Sequence, residues 1–315
     1  MAIIEKGRYN SNSLLNYWGG ETITIDGNSL TIDEVIRVSR EYEAVTLDDK
    51  SIPAINRSRR YVEKVLAEER VVYGITTGVG ELANTLISAD DAEKMQENLI
   101  RSHATSVGEP FTEDVVRGII LLRANAVTKG YSGIRVLVIN LLLDLLNNRI
   151  FPYIPRQGSV GASGDLSPLS HLALVLMGEG ECLRDGKRVP SLSVLDAAGL
   201  KPVRLQPKEG LALINGTQIM SSLGCLAVDD AENLLKHAQI AGAMSLEALH
   251  GTSKAYDARI HEVRPHPGQI RCAANMRQLI DESEIIASHK NCEKVQDAYT
   301  LRCIPQVYGA VMDTI

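Results

Sequence analysis

The 315-residue sequence lacks a basic block: 33 Lys and Arg are interspersed with 39 Asp and Glu, for a formal charge of -6. Nucleic-acid affinity rests largely on concentrated Lys and Arg, so that class is set aside. A long apolar run is missing too. The longest, 136–146, is broken by Asn140 and Asp144 and falls short of the ~20 residues that span a bilayer. The opening MAIIEKGRYN has no apolar stretch with a cleavage site, so no secretory signal is expected and the compartment is expected to be cytoplasmic. Cysteine is sparse. Five residues at wide spacing (Cys182, Cys225, Cys272, Cys292, Cys303) give neither a disulfide framework nor zinc spacing, and no metal is expected. No repeat or low-complexity tract is present. What remains is ordinary globular composition, 44% hydrophobic and 23% charged, long enough for two compact units. By size and composition an enzyme is expected.

The segment TITIDGNSLTIDEV alternates apolar and polar residues around Asp26-Gly27, which predicts a small hairpin leading into a helix. Helical periods begin at Ile52. Thr112 reads as an N-cap with Glu113 and Asp114 in the first turn, opening a helix that runs to Gly130. A Leu-rich helix is predicted from Ser132 to Asn147-Asn148, apolar on nearly every face and hence buried. A glycine-rich loop over 156–164 precedes a third helix over 165–178, and CLRDGKRVP predicts a second hairpin turning at Asp185-Gly186. Helical pattern dominates 208–250, with Gly216, Gly224 and Gly242 as close-packing points. The polar, Pro-containing stretch 256–275 reads as an exposed loop, and a helix is expected after Pro305. The class is mainly α with two small hairpins, divided into 1–207 and 208–315. The apolar pattern at VYGAVMDTI runs to the last residue, from which a fragment is expected.

The loop Gly158-Ser159-Val160-Gly161-Ala162-Ser163-Gly164-Asp165 is the most informative segment. A phosphate cradle is disfavoured, because no Walker Lys follows and Ile154-Pro155-Arg156-Gln157 cannot be a central strand. A plain lead-in to a helix, in a helical scaffold protein, is the bland alternative. A third reading uses Ala162-Ser163-Gly164 itself. A glycine nitrogen can swing back onto the carbonyl two residues earlier without a Cβ clash. Loss of water from the serine then leaves an exocyclic methylidene, and the chain has made its own electrophilic ring beside a helix N-terminus.

GSVGASGDLSPLSHLALVLMGEG resembles the signature of the aromatic amino acid ammonia-lyases, in particular those acting on histidine. Tyr73-Gly74-Ile75-Thr76-Thr77-Gly78 is similar to that family's tyrosine loop, and Leu213-Ile214-Asn215-Gly216-Thr217-Gln218 to its asparagine segment. Ser288-His289-Lys290-Asn291-Cys292 leads into Val295-Gln296-Asp297-Ala298-Tyr299-Thr300-Leu301-Arg302-Cys303, also a family motif. The similarity runs from about Lys50 to the end. Family chains continue past Ile315 into a segment holding a site glutamate, so the resemblance is to the N-terminal portion of such an enzyme and implies the helical ammonia-lyase fold without its C-terminal part.

The resemblance implies a methylidene-imidazolone group (MIO) formed from Ala162-Ser163-Gly164, with Asp165 helping ring formation and no external cofactor. It implies Tyr73 as the base for the barely acidic β-proton. A phenol ionises near pH 10 in water, so such a base needs positive dipoles beside it. It places Asn215 and Tyr299 near ring and carboxylate, Gln296 in the pocket, and Arg302 on the substrate carboxylate, where a guanidinium offers two parallel donors. Ser102-His103 matches the pair typical of histidine-acting members, and an imidazole can exchange a hydrogen bond with another imidazole. Thr76 departs from their pattern, since they usually carry Asn there, and some tyrosine aminomutases also carry Ser-His. His171 is expected to be a buried, hydrogen-bonded core residue. The implied reaction is deamination of L-histidine to urocanate and ammonia, with a tyrosine or phenylalanine lyase or aminomutase as alternative. Its partners are a small amino acid and copies of itself in a homotetramer, not nucleic acid or membrane. The fragment alone is expected to be inactive.

Overall fold

Helices carry most of the chain, as the periodicity predicts. The computed structural model describes residues 22–160, 164–290 and 293–315. They divide into two units, Met1–Leu226 and Ala227–Ile315.

The first unit opens with β1 (Ile23–Ile25), α1 (Ile32–Arg40), β2 (Val45–Leu47) and α2 (Ile52–Ala67). The hairpin expected around Asp26-Gly27 does not form. β1 instead pairs in parallel with β2, beyond α1, with Ile23 opposite Val45. The reason is local. Asp26 Oδ1 accepts from the Asn28 and Ser29 amides, at 2.7 and 2.8 Å, and Thr31 and Glu34 form a reciprocal capping box. The apparent second strand is therefore a cap and the first turn of α1.

Next come α3 (Ala89–His103), β3 (Val107–Pro110), α4 (Glu113–Thr128) and α5 (Val136–Asn147). Thr112 occupies the N-cap of α4, but its hydroxyl bonds the Asp114 carboxylate rather than a backbone amide. α5 begins four residues later than Ser132. Residues 133 and 135 anchor the chain instead: the Gly133 amide donates to Ser58 Oγ, and Arg135 clamps the fully buried Glu209 through Nε (2.8 Å), Nη2 (2.7 Å) and its own amide (3.0 Å). Once started, α5 is buried on nearly all faces, including Val138, Ile139, Leu142, Leu145 and Leu146, and joins α4 in the main apolar core.

β4 (Phe151–Pro152), β5 (Pro155–Gln157), α6 (Leu166–Leu176), β6 (Glu181–Arg184), β7 (Lys187–Pro190), α7 (Ser191–Ala197) and α8 (Glu209–Ile214) complete this unit, and α9 (Gln218–Ala248) starts in it. The β6–β7 hairpin turns at Asp185-Gly186 as predicted, both residues at positive φ. Among the described residues, β5 pairs only with β3.

In the second unit, residues 256–275 are not an exposed loop. Tyr256 is fully buried and donates to the Leu301 carbonyl at 2.7 Å. α10 (Ala258–Glu262) and α11 (Pro267–Leu279) follow, then α12 (Glu284–Ser288), α13 (Tyr299–Arg302) and α14 (Ile304–Thr314). Pro267 starts α11, where its missing N–H has no helical partner to lose. The pattern hid this helix because α11 meets α14 through small residues: a methyl on Gly268 would strike the Gly309 carbonyl. Gly242 packs closely on Ile304, as predicted, whereas Gly224 has open space beside it.

Candidate active site

Ala162 and Ser163 lie outside the described residues; Gly164 and Asp165 are within them. The Val160 amide donates to the Gly164 carbonyl at 3.1 Å. Gly164 sits at φ +75, a left-handed conformation that glycine takes without strain, and a Cβ there would press on the Gly216 carbonyl at 3.0 Å. Asp165 is 0% exposed. Its amide donates to the Gly216 carbonyl at 3.0 Å. Its Oδ2 accepts from the Ile219 and Met220 amides, at 2.8 and 3.3 Å, and its Oδ1 accepts from the Ser159 hydroxyl. One carboxylate thus precedes α6 and caps the first free amides of α9, where the helix dipole favours a negative charge.

Asn215 and Gly216 form the turn between α8 and α9. Arg123 Nη1 donates to the Asn215 carbonyl at 3.0 Å and to Gln218 Oε1 at 2.8 Å. Arg123 did not stand out in the sequence. The available signal is a cation inside the apolar run of α4, at a position that faces inward.

Tyr73 is 56% exposed, and its oxygen accepts from the Gly80 amide at 3.1 Å. Its loop is held internally, by the Thr77–Leu86 bridge and by Ile87 N donating to the Thr76 carbonyl at 2.9 Å. Thr76, where the expected pattern has Asn, donates to the Arg70 carbonyl at 2.6 Å and accepts from the Val72 amide at 2.8 Å. At the end of α3, His103 Nδ1 lies 2.9 Å from the Leu99 carbonyl and 3.0 Å from Ser102 Oγ. A carbonyl only accepts, so the proton sits on Nδ1 and Nε2 presents a lone pair. Two residues on, the Thr105 amide donates to Ser167 Oγ at 3.2 Å, and Ser106 Oγ is 2.8 Å from the same oxygen. These bonds tie the Ser102-His103 end of α3 to the first turn of α6, beside Asp165. Tyr73 makes no hydrogen bond to this cluster among the described residues. His171 is half-buried, and its Nε2 has no partner among them, unlike the hydrogen-bonded core residue expected.

Gln296, Tyr299 and Arg302 come together in the second unit. The Arg302 guanidinium lies over the Tyr299 ring, 4.5 Å from its centroid, and Nε donates to the Asp297 carbonyl at 2.8 Å. With its amide oxygen turned toward Arg302, Gln296 accepts from Nη1 and Nη2 at 3.0 and 2.7 Å. Each terminal nitrogen keeps a second N–H for a carboxylate.

Asp297 underpins this loop. Burial alone would raise its carboxyl pKa, but the Thr252 amide (2.7 Å) and the Lys294 ammonium (2.9 Å) outweigh that and hold it below the usual value. A depressed folded-state pKa stabilises the fold fully above the unfolded value of about 3.9 and is lost as pH falls through the folded value. We therefore expect Asp297→Asn to flatten the fall in stability below about pH 4. Urea midpoints measured from pH 5 to 2.5 check this, and parallel curves for the two proteins would contradict it.

The sequence model of the aromatic amino acid lyase family matches residues 30–315, and the chain belongs to that family. It is 52% identical over 295 residues to a histidine ammonia-lyase of Koribacter versatilis and 51% identical over 293 residues to one of Alkaliphilus oremlandii. These alignments take in 94% and 93% of this chain but only 57% and 58% of those proteins. Among solved structures, a tyrosine aminomutase from Streptomyces globisporus superposes with a TM-score of 0.86 at 39% identity, over 93% of this chain and 59% of that one. The histidine ammonia-lyase of Trypanosoma cruzi gives 0.82, also at 39% identity, over 92% and 54%. Among the described residues, no group of three or more His, Cys, Asp or Glu could hold a metal, and no helix is long and apolar enough to cross a membrane.

Proposed function

We propose that this chain is part of an enzyme that deaminates L-histidine to urocanate and ammonia, using the methylidene-imidazolone of Ala162-Ser163-Gly164. The observation that carries the reading is His103. Its Nδ1 is committed to Leu99, so Nε2 is left to accept the N–H of a substrate imidazole, at an α3 end bonded to the start of α6. Relatives at 52% and 51% identity that are histidine ammonia-lyases support the same substrate.

The residues around the triplet fit such a ring. The left-handed φ of Gly164, the Val160–Gly164 hydrogen bond and the buried Asp165 anchor together form a tight, fixed frame. Once formed, the ring supplies an electrophilic carbon that makes ammonia a good leaving group. The chain's own residues do the rest. Arg302 takes the substrate carboxylate through its two remaining terminal N–H groups, and Gln296 and the Tyr299 face hold the guanidinium for it. His103 orients the imidazole, with Ser102 bracing it. Tyr73 removes the β-proton at its oxygen, which the Gly80 amide locates. Asn215 stands beside Gly164 on the turn that carries its neighbour Gly216.

Assembly into a homotetramer belongs to this reading. Tyr73 and Tyr299 are both largely exposed in the single chain, and α9 exposes Met220, Leu223, Leu234, Ile240 and Met244. Such an apolar surface fits burial against other copies, which would complete each site. Residues 1–315 match little over half the length of their relatives, so activity is assigned to the whole enzyme, in the cytoplasm. A tyrosine-acting lyase or aminomutase is the second reading, favoured by Thr76 and by the aminomutase superposition.

The test is an intact mass and a product spectrum. The full-length enzyme should be lighter than its sequence by two waters, and should release urocanate from histidine faster than it releases products from tyrosine or phenylalanine. An unmodified mass sinks the proposal. Faster turnover of tyrosine hands it to the second reading.

A further inference from the structure

Two arginines are buried in α4, and they are held differently. Arg117 donates to the Val38 and Leu146 carbonyls, at 2.8 and 3.2 Å, and lies 4.4 Å from the centre of the Tyr42 ring, contacts that tie α4 to α1 and α5. Arg123 is 5% exposed and shares none of these partners. A buried guanidinium is ordinarily matched by a carboxylate. No carboxylate pairs with Arg123 among the described residues, and its Nε has no partner there. Burial lowers its pKa to about 10, which leaves it charged at neutral pH. Its hydrogen-bond acceptors both belong to the turn 215–218.

That turn is gripped from two sides. The Asn215 carbonyl accepts from Arg123, and the next carbonyl, of Gly216, accepts from the Asp165 amide. A methyl on Gly216 would land on Arg123 Nη1 and Gln218 Oε1, so the absent side chain is what admits the guanidinium. Gly164 rests against the same Gly216 carbonyl. If Arg123 releases the turn, the surface that supports Gly164 moves, and Asn215 moves with it.

We infer that Arg123 is a positioning residue, holding the turn 215–218 in the register that lets the Ala162-Ser163-Gly164 triplet close and sets Asn215 for substrate. The inference rests on the function proposed above. It is tested in the full-length enzyme with Arg123→Met, Arg123→Lys and Gln218→Leu, by intact mass, melting temperature, and kcat and KM for histidine. Arg123→Met should leave many chains without the loss of two waters. Its kcat should fall on the order of a hundredfold, as for a site displaced by about an ångström, with KM changed by less than about threefold. Arg123→Lys, which keeps the charge, should recover most of both losses. Gln218→Leu, which removes one acceptor and leaves the guanidinium, should fall between. A folded Arg123→Met with wild-type mass and kcat overturns the inference, as does a lysine variant no better than methionine. If Arg123→Met does not fold, unchanged mass and kcat in Gln218→Leu overturn it. An unmodified mass in the wild-type enzyme sinks the proposed function itself, and is seen before any substitution is made.

Discussion

Replacing His103 with Phe should lower the ratio of kcat/KM for histidine over phenylalanine by at least about a thousandfold. The physical reason is an asymmetry between polar and apolar rings. His103 Nδ1 is saturated by Leu99 and Ser102, so Nε2 can only accept, and in the proposed function a substrate imidazole N–H would supply the donor it needs. A phenyl ring supplies none and leaves the imidazole nitrogen desolvated and unpaired, a mismatch that costs far more than lost contact area. With Phe at 103 the penalty reverses: histidine loses its acceptor and phenylalanine meets an apolar face. Ser102 then loses its partner as well, while keeping its 3.0 Å bond to the Leu99 carbonyl, so the end of α3 should remain formed. The measurement is steady-state kinetics of the full-length enzyme on both substrates. An unchanged ranking would remove His103 from the pocket.

Asp165→Ala should cost roughly 1–4 kcal/mol of stability, because the buried Ile219 amide loses its acceptor at about 1–3 kcal/mol and the partly buried Met220 amide adds about 1 kcal/mol at most. That is a large part of the ~5–15 kcal/mol that holds a domain together. The Ile219 and Met220 amides open α9, and at the buried Ile219 amide water does not easily replace a carboxylate with no exposed surface. Asp165→Asn should cost less. Its remaining oxygen can face the two amides while its NH2 turns to the Ser159 hydroxyl, which can accept. Both variants should also lower the fraction of chains lacking two waters, alanine more than asparagine. Urea denaturation with parallel intact-mass measurements decides the matter. An alanine variant within about 1 kcal/mol of wild type would show that the cap is replaceable.

The glycine loop stood out by its own residue types, whereas the tyrosine loop and the Asn215 and Arg302 segments were singled out by their resemblance to the ammonia-lyase family, and their roles belong to the proposed function. Long α4 and α5 were legible from apolar periodicity, and β6–β7 from Asp-Gly. What stayed hidden was decided partly by local side-chain bonds and partly by contacts far apart in the chain. The alternation at 22–35 looked like two strands, but the capping box of Thr31 and Glu34 and the Asp26 turn compete locally and win. α11 escaped because helices that meet through glycine need few large apolar residues. Arg123 escaped for a different reason. Its meaning lies in Asn215 and Gln218, more than ninety positions away, and no local pattern announces that distance.

The carboxylate shared by the glycine-rich loop and α9 also sets an order of events during synthesis. Asp165 emerges first, and the amides it must bind follow 54 and 55 positions later. At ~5–20 residues per second that interval lasts about 3–11 s, during which the loop has its sequence but not its frame. The Gly216 carbonyl, which takes the Asp165 amide, arrives only slightly sooner. The ring closure proposed above, which needs a rigid frame, would thereby be deferred until the second of two helices has docked. On the proposed function, a nascent chain would carry the triplet as ordinary alanine, serine and glycine, and the electrophile would arise only once the fold is complete.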